Sequence, residues 1–157
     1  MRVRVEQFIP APAEAVFALA LDTERFPALF RGCGPVPGLR RVVLNSVAGI
    51  GATRTVESSD GSRLVETITF LEPPHRHAYT LSGIRAPLAW LVSAGHANWT
   101  FSPSDEGTQV CWCYDWVPAA ALIQPVAWLV LKLFMRRAMA HCLAAMAAEL
   151  QPRQEVA

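Results

Sequence analysis

The first nine residues alternate between apolar and polar side chains, which predicts a β-strand. Pro10-Ala11-Pro12 interrupts this extended run, and apolar side chains then recur at helical spacing over residues 13–21. Asp22 can cap a second short helix, in which Pro27 is tolerated only near the start. The glycine and proline residues at positions 32–38 end the second helix, so the pattern predicts a strand followed by two short helices.

From residue 39 to residue 116 the period changes to two and turn residues recur at short intervals, which is typical of an antiparallel meander. The clearest turn is Ser59-Asp60-Gly61, a three-residue hairpin loop whose glycine can adopt the left-handed conformation. Pairing the residues that flank this loop sets Arg54 opposite Glu66 in the neighbouring strand. Both side chains then lie on the same face of the sheet.

Later strands are predicted over residues 77–81, 95–101 and 109–116. Alternation places the large rings of the last two strands on one face, while His96, Asn98 and Thr100 lie on the other. Two neighbouring strands therefore supply a continuous aromatic wall, which we expect to face inward. Its rings are Trp99, Phe101, Trp112, Tyr114 and Trp116.

Beyond Pro118 the chain becomes helical in pattern and very apolar, and Pro125 either starts the long helix or kinks it. A helix over residues 126–150 would be about 37 Å long. Its few charges do not form a narrow stripe, so we expect cover on more than one side, by the sheet or by a second subunit. A membrane span is disfavoured, because Gln124, Pro125 and Lys132 interrupt an apolar run that is already short.

The composition fits one globular domain, which we place at residues 1–150 with a short polar tail at residues 151–157. The 157 residues are 52% hydrophobic and 17% charged, with a formal net charge of +1. These values exclude a disordered chain and a basic nucleic-acid-binding surface. The N-terminal strand lacks the apolar core of a signal peptide, so we expect a cytoplasmic location.

Known metal, nucleotide and nucleophile motifs are missing from the sequence. The four cysteines have no zinc-ribbon spacing, and we expect reduced thiols. A metal site built from Cys33, Cys111, Cys113 and His96 has no helical or loop ligand pair to support it. We therefore predict neither a metal nor a cofactor.

The order of one strand, two short helices, further strands and a long C-terminal helix resembles a known family. The stretches that carry the resemblance are IPAPAEAVF at 9–17, DTERFPALF at 22–30, GATR at 51–54, VETITFLEPP at 65–74, WTFSP at 99–103 and GTQV at 107–110. Together they resemble the polyketide cyclase/dehydrase and lipid-transport branch of the superfamily that includes START domains and plant pollen allergens. The chain departs from the common pattern at Phe30, where many relatives carry tryptophan, and in a longer apolar insertion at 83–95.

The resemblance implies an α+β helix-grip fold, in which a curved antiparallel sheet of about seven strands wraps around the long C-terminal helix. It also implies a cavity between sheet and helix, used by different relatives to bind, transport or cyclise hydrophobic molecules. One scaffold of this kind hosts unrelated functions, so the reaction is not implied.

The Arg54–Glu66 pair has two interpretations. It is either a structural ion pair that fixes the hairpin register, or a functional pair facing a ligand. In the functional interpretation Glu66 is a general acid or base, and Arg54 holds a carboxylate or enolate oxygen.

The aromatic candidates likewise belong either to the core or to a pocket. Trp99, Trp112, Tyr114 and Trp116 are each typical of core as single rings, but together they favour a cavity wall. Tyr79 would be its polar end, and Phe30 and Trp90 its mouth. His75 and His77 are expected in solvent at a turn. His141, on the C-terminal helix, either faces the cavity or is a satisfied or surface imidazole.

Three functions remain open at this point. The first is binding or transport of a small hydrophobic or aromatic ligand in an internal cavity. The second is a cofactor-independent enzyme of the cyclase or dehydratase kind, which would need Arg54, Glu66 and Tyr79 around one void. The third is a membrane-surface chaperone for a lipid or quinone, or an interaction protein. It would use peripheral membrane contact or a homodimer through the apolar C-terminal helix.

Overall fold

The computed structural model of the chain describes residues 1–151, and the predicted tail beyond residue 151 lies outside the described residues. Seven strands form the main sheet: β1 (Arg2–Ile9), β4 (Leu39–Leu44), β5 (Thr53–Ser58), β6 (Arg63–Glu72), β7 (Arg76–Ser82), β8 (Val92–Ser104) and β9 (Gly107–Pro118). Two short strands, β2 (Gly32–Cys33) and β3 (Val36–Pro37), pair separately as a ribbon. The α+β class and the seven-stranded sheet are as predicted.

The main sheet is antiparallel throughout, with the strand order β1-β9-β8-β7-β6-β5-β4. Its first strand therefore pairs with its last, and the meander fills the rest of the sheet. Register shifts interrupt three of the pairings: β4 with β5, β6 with β7, and β8 with β9. Such bulges bend strands and increase their twist, which curves the sheet around the helix.

Two short helices, α1 (Ala13–Leu21) and α2 (Phe26–Leu29), follow β1 as predicted. Asp22 caps a turn between them instead of the second helix itself, because its Oδ1 accepts hydrogen bonds from the backbone N–H groups of Glu24 and Arg25. Helix α2 starts only at Phe26, with Pro27 in its first turn. Proline is tolerated there because the first N–H groups of a helix have no partner within it.

The C-terminal helix runs as α3 (Gln124–Val130), a π-helical turn (Leu131–Met135) and α4 (Arg136–Leu150). Pro125 lies in its first turn, so this proline starts the helix and does not kink it. A short 3₁₀ turn, Ala121–Ile123, precedes the helix. None of the helices in residues 1–151 is both long and apolar enough to cross a membrane.

The β5–β6 hairpin has the predicted register. The Ser58 N–H donates to the Ser62 carbonyl at 2.8 Å, and Arg54 lies opposite Glu66. Gly61 has a φ of 83°, the left-handed conformation that this loop requires and that glycine adopts without steric penalty.

Strand β8 begins three residues earlier than predicted, and the segment before it forms a 3₁₀ turn at Leu88–Trp90. Gly95 lies inside the strand, although it was expected to begin the strand. Trp116 is the partner of Gly95 in strand β9. A side chain at position 95 would place its Cβ 2.7 Å from the Trp116 ring. Glycine therefore makes room for the indole ring, which is one of the uses of glycine within strands.

One face of the C-terminal helix is buried against the inner side of the sheet, through Leu131, Met135, Met139, Leu143 and Met146. In its first half Val126, Trp128, Leu129 and Leu133 are exposed, and so is Leu122 in the preceding 3₁₀ turn. The described residues therefore cover this half of the helix on one side only. We expected this helix to be covered on more than one side, and no described residue covers the second side of its first half.

Candidate ligand cavity

A cavity opens between the sheet, the C-terminal helix and the segment that follows α2. About 80 Å³ within it is open to the centres of water molecules. One water needs roughly 10–15 Å³ on this measure, so the cavity has room for several waters or a small organic molecule. The side chains at its inner end are mostly large and apolar: Phe26, Phe30, Val56, Leu81, Trp112, Tyr114, Trp116 and Met135, with Glu66 and Tyr79 among them.

The mouth of the cavity lies at one end of the sheet. Its residues include Asp60 and Arg63 from the β5–β6 hairpin, and Ile84, Arg85 and Leu88 from the connection between β7 and β8. In an antiparallel meander these two connections lie at the same end of the sheet, together with the chain that leaves β9. The polar groups deep in the cavity are therefore reached from this end.

Arg54 and Glu66 form a buried ion pair on the inner face, with 2.6 Å between Nη2 and Oε2. Glu66 lines the cavity, whereas Arg54 borders a second void of about 10 Å³ beside it. Burial raises the pKa of Glu66 more than the Arg54 guanidinium lowers it. Arg54 also lies over the Tyr79 ring, with 5.3 Å between Cζ and the ring centroid. One guanidinium group therefore forms an ion pair with Glu66 and a cation–π contact with Tyr79.

Tyr79 and Tyr114 share a buried hydrogen bond, with 2.9 Å between their hydroxyl oxygens. Burial raises the pKa of both phenols, and the Glu66 carboxylate raises each pKa further. Both hydroxyls therefore stay protonated at neutral pH. Only one proton is needed for the bond between them, so the pair keeps a second O–H that can donate to a ligand.

Two of the residues that line the cavity carry an indole N–H group without an acceptor. Nε1 of Trp112 and Nε1 of Trp116 are buried and make no hydrogen bond with any described residue. A buried donor without a partner costs about 1–3 kcal/mol, and native proteins keep few of them. Because both residues line the cavity, a ligand whose acceptor reaches either N–H would remove this cost.

The remaining sequence candidates divide between cavity, core and surface. Phe30 lines the cavity and contacts Trp112 edge-on at 5.9 Å between ring centroids. Trp99 lies in the core, stacked on Trp112 at 4.0 Å, and borders only the small second void. Trp90 was expected at the mouth, but its side chain is 70% exposed and does not line the cavity. It belongs to the 3₁₀ turn that also carries Leu88, and its ring lies on the outer side of that turn.

The prediction that His77 lies in solvent is wrong. The residue belongs to β7, is 1% exposed, and lies 5.2 Å from the Tyr79 ring, centroid to centroid. Burial, and secondarily the nearby Arg54 cation, lowers its pKa to about 3. Neither ring nitrogen has a partner among the described residues. Strand alternation carries the signal for this burial, because a strand with Tyr79 facing inward must also turn His77 inward.

Several cavity residues were not predicted. Met135 reaches the cavity from the π-helical turn, and Pro35, Val36 and Pro37 reach it from the ribbon after α2. No local pattern marks such residues, because their position depends on how the helix and the ribbon pack on the sheet. Phe26 was not a candidate either, although it lies in the same segment as the candidate Phe30.

Two of the four thiols and a further histidine, His96, lie on the outer face of the sheet, whereas Cys142 is buried in the C-terminal helix. Cys111 and Cys113 lie in β9 with their Sγ atoms 3.7 Å apart, and Cys33 lies in the separate ribbon. His96 contacts Thr80, and His75 and His141 are exposed. Among residues 1–151, no three His, Cys, Asp or Glu side chains are grouped so that they could hold a metal ion.

Comparison with known proteins identifies the family. The family described as "Polyketide cyclase / dehydrase and lipid transport" matches residues 1–151. The chain belongs to this family. No curated protein matches the sequence.

Solved structures with the same fold are distant in sequence. TTHA0849 from Thermus thermophilus is 18% identical, with a TM-score of 0.72 over 96% of this chain and 97% of that protein. Ara h 8.0201 is 15% identical, with a TM-score of 0.68 over 96% of this chain and 97% of that one. The di-domain ARO/CYC BexL from the BE-7585A biosynthetic pathway is 17% identical, with a TM-score of 0.71 over 98% of this chain and 50% of that one. These similarities establish the helix-grip fold of this family member.

Proposed function

We propose that this member of the family binds a small aromatic molecule that carries carbonyl or hydroxyl oxygens. The observation that carries the proposal is the combination of a mainly apolar cavity with two indole N–H donors that have no partner in the described structure. Ligand sites are typically apolar clefts with a few converging polar groups. The family description and the fold are compatible with this function, but they name no ligand.

The ring geometry favours a flat ligand. Tyr114 stacks on Trp116 at 4.8 Å between centroids, and both rings line the cavity. A flat ring system can extend such a stack at the centroid spacings that aromatic pairs prefer. An aliphatic chain would gain the burial but not the stacking geometry.

The polar groups favour acceptors on the edge of that ligand. Trp112 and Trp116 each offer one N–H, and the Tyr79–Tyr114 pair offers one O–H. A hydrogen bond to an otherwise unpaired donor removes its desolvation penalty, which strengthens binding beyond the contribution of area alone. A hydrocarbon of the same shape should therefore bind more weakly.

Titration with fluorenone and fluorene tests the proposal, because the two tricyclic molecules differ in one carbonyl oxygen. Intrinsic tryptophan fluorescence reports binding. We expect fluorenone to bind about fivefold more tightly, in line with about 1 kcal/mol for one net hydrogen bond. Trp112→Phe or Trp116→Phe should remove most of that preference.

Trp90→Phe is the matched control, since Trp90 is exposed and lies outside the cavity lining. It should leave both affinities unchanged. The proposal would be contradicted if neither fluorenone nor fluorene binds and native mass spectrometry shows no co-purified ligand.

A second candidate function is cofactor-independent cyclisation or dehydration of a carbonyl compound. The observation that favours it is Glu66, whose burial raises its pKa and whose carboxyl borders the cavity. A carboxyl group with a raised pKa keeps its proton to a higher pH than a solvated carboxyl group does, and it can transfer that proton to a substrate oxygen. BexL and StfQ, two neighbours in structure, are both described as di-domain ARO/CYC proteins from biosynthetic pathways.

Incubation with a linear β-ketoacyl thioester, followed by mass spectrometry, tests this candidate. Cyclisation alone should give an isomer of unchanged mass and different chromatographic retention, and dehydration should give a product lighter by one water. Glu66→Gln should abolish formation of either product while fluorenone still binds. Binding without any product would leave the carrier function and eliminate the enzyme for this substrate class.

A further inference from the structure

The first half of the C-terminal helix carries an exposed apolar surface that the cavity does not use. We call it the apolar shoulder and define it as Trp90, Leu122, Val126, Trp128, Leu129 and Leu133. All six side chains are substantially exposed, with Leu122 96% and Trp90 70% accessible. Single exposed apolar residues are ordinary in proteins, but a contiguous group marks an interaction surface.

Three of the shoulder residues of the helix share one face. Val126, Leu129 and Leu133 are separated by three and four positions, which places them in one row along a helix. Leu122 precedes this row by four positions, in the adjoining 3₁₀ turn. Trp128 and Leu129 also line a common shallow groove with Pro125, so the surface is continuous.

The turn that carries Trp90 is tied by a backbone hydrogen bond to the chain that enters the helix. The Ala119 N–H donates to the Leu91 carbonyl at 3.0 Å, which fixes the Leu88–Trp90 turn beside the chain that enters the helix. Both segments lie at the end of the sheet where the cavity opens. Leu88, in the same turn as Trp90, lines the cavity mouth.

The charged residues of the C-terminal helix and of the chain that enters it are all positive as far as residue 148. Residues 116–148 contain Lys132, Arg136 and Arg137 but no aspartate or glutamate. None of the three cations forms an ion pair with a described residue. Lys132 lies over the Trp128 ring at 4.4 Å, so a cation and an indole are placed side by side.

Charge decides between two occupants of the shoulder. A second copy of the chain would bring the same surface onto itself in a two-fold interface, and would set the three cations close to their own equivalents. A bilayer with anionic lipids instead offers negative charge to the cations and an apolar boundary to the leucine and tryptophan side chains. Tryptophan is also enriched where protein meets the headgroup region.

We propose that the apolar shoulder docks this protein on the surface of a membrane that contains anionic lipids. The helix lies on the bilayer and does not cross it. Docking presents the mouth of the cavity to the bilayer, so an apolar ligand can pass between the two without crossing water. The contact itself is independent of which ligand the cavity holds, and the two proposals fail separately.

Flotation with vesicles tests the docking. The full chain is mixed with vesicles of phosphatidylcholine, with or without phosphatidylglycerol, at low and at high salt. We expect flotation with the anionic vesicles only, weakened by salt because the cations act at the surface. Leu122→Glu should lower the fraction bound about tenfold or more, and Lys132→Glu about fivefold.

Val47→Glu is the matched control, because Val47 is 92% exposed in the β4–β5 connection at the opposite end of the sheet. It should float like the unaltered chain, and circular dichroism should show that all three variants are folded. Three results would overturn the proposal. They are no flotation with anionic vesicles, an equal loss in Val47→Glu, and a dimer in solution that Leu122→Glu dissociates while vesicles are ignored.

Discussion

The inner face of the sheet has two halves that are equally buried and chemically opposite. The aromatic half, formed by β8 and β9, carries Trp99, Phe101, Trp112, Tyr114 and Trp116. The polar half, formed by β5, β6 and β7, carries Arg54, Glu66, His77 and Tyr79 among its buried side chains. Burial alone therefore does not distinguish a core from a site.

The halves differ in the kind of polar atom that is left without a partner in the described part of the chain: neutral indole N–H groups of Trp112 and Trp116 in the aromatic half, and atoms of charged or titratable groups in the polar half. Rings of the aromatic half stack on one another, as Trp99 does on Trp112 at 4.0 Å. In the polar half Arg54 and Glu66 satisfy each other only in part, since Nε of Arg54 and both nitrogens of His77 have no partner among residues 1–151. Unsatisfied polar groups at this depth are unusual in a core and common where a protein binds something.

Loss of a ring of the aromatic half that does not line the cavity should have the largest effect on stability. Trp99→Ala removes a fully buried indole from a stack and should lower the free energy of unfolding by about 4–5 kcal/mol. Trp116→Ala should cost less, because its ring borders the existing cavity. Urea unfolding of both variants measures the difference, and equal costs would show that the two rings are packed alike.

Removal of one charge from the polar half comes next. Glu66→Leu leaves the Arg54 guanidinium buried without a counterion, and should lower the free energy of unfolding by about 3–4 kcal/mol. Arg54→Met should cost less, because the carboxyl left behind can take up a proton. The double variant should recover most of the loss in urea unfolding. A double variant as unstable as Glu66→Leu would show that the pair stabilises the fold.

A pH series isolates His77. Its pKa of about 3 in the folded protein lies below the value of about 6.5 expected in the unfolded chain. The unfolded chain therefore takes up a proton first, and stability is complete above about pH 6.5 and falls as the pH is lowered towards 3. Between about pH 7 and pH 5 this loss is about 2 kcal/mol.

His77→Leu removes the titrating group and should remove that part of the pH dependence. Urea unfolding of both proteins at the two pH values measures the difference, in which the contributions of all other groups cancel. Parallel pH curves for the two proteins would show that His77 becomes protonated within the folded state.

The smallest effect concerns the two phenols. Tyr79→Phe leaves the Tyr114 hydroxyl without its partner at 2.9 Å, and should cost about 1 kcal/mol. Tyr114→Phe should cost a similar amount. The double variant should cost less than the sum, because neither hydroxyl is then left unpaired. Additive losses in urea unfolding would show that each phenol has another partner.

The amino-acid pattern was sufficient for most of the fold and for part of the candidate site. The helix at Ala13–Leu21, the β5–β6 register and the inward rings of β8 and β9 are local or depend on alternation along a strand. These features follow from periodicity and turn chemistry, which act over a few residues. The Arg54–Glu66 pair was predictable for the same reason.

Tertiary packing decided the rest. Trp90 and Trp99 are indistinguishable as residue types, yet one is exposed on a 3₁₀ turn and the other is stacked in the core. Met135 reaches the cavity because the π-helical turn and the sheet meet there. Whether a buried polar atom has a hydrogen-bond partner also depends on all the segments that pack around it.

The sequence by itself determined the order of elements, the inward face of each strand and the apolar character of the C-terminal helix. The tertiary structure alone determined that this helix is covered on one side, which leaves the shoulder of Leu122 and its neighbours exposed. It also determined where the cavity lies between helix and sheet. Local patterns record the conformation of a segment, whereas exposure and voids are properties of surfaces that meet only when distant segments pack together.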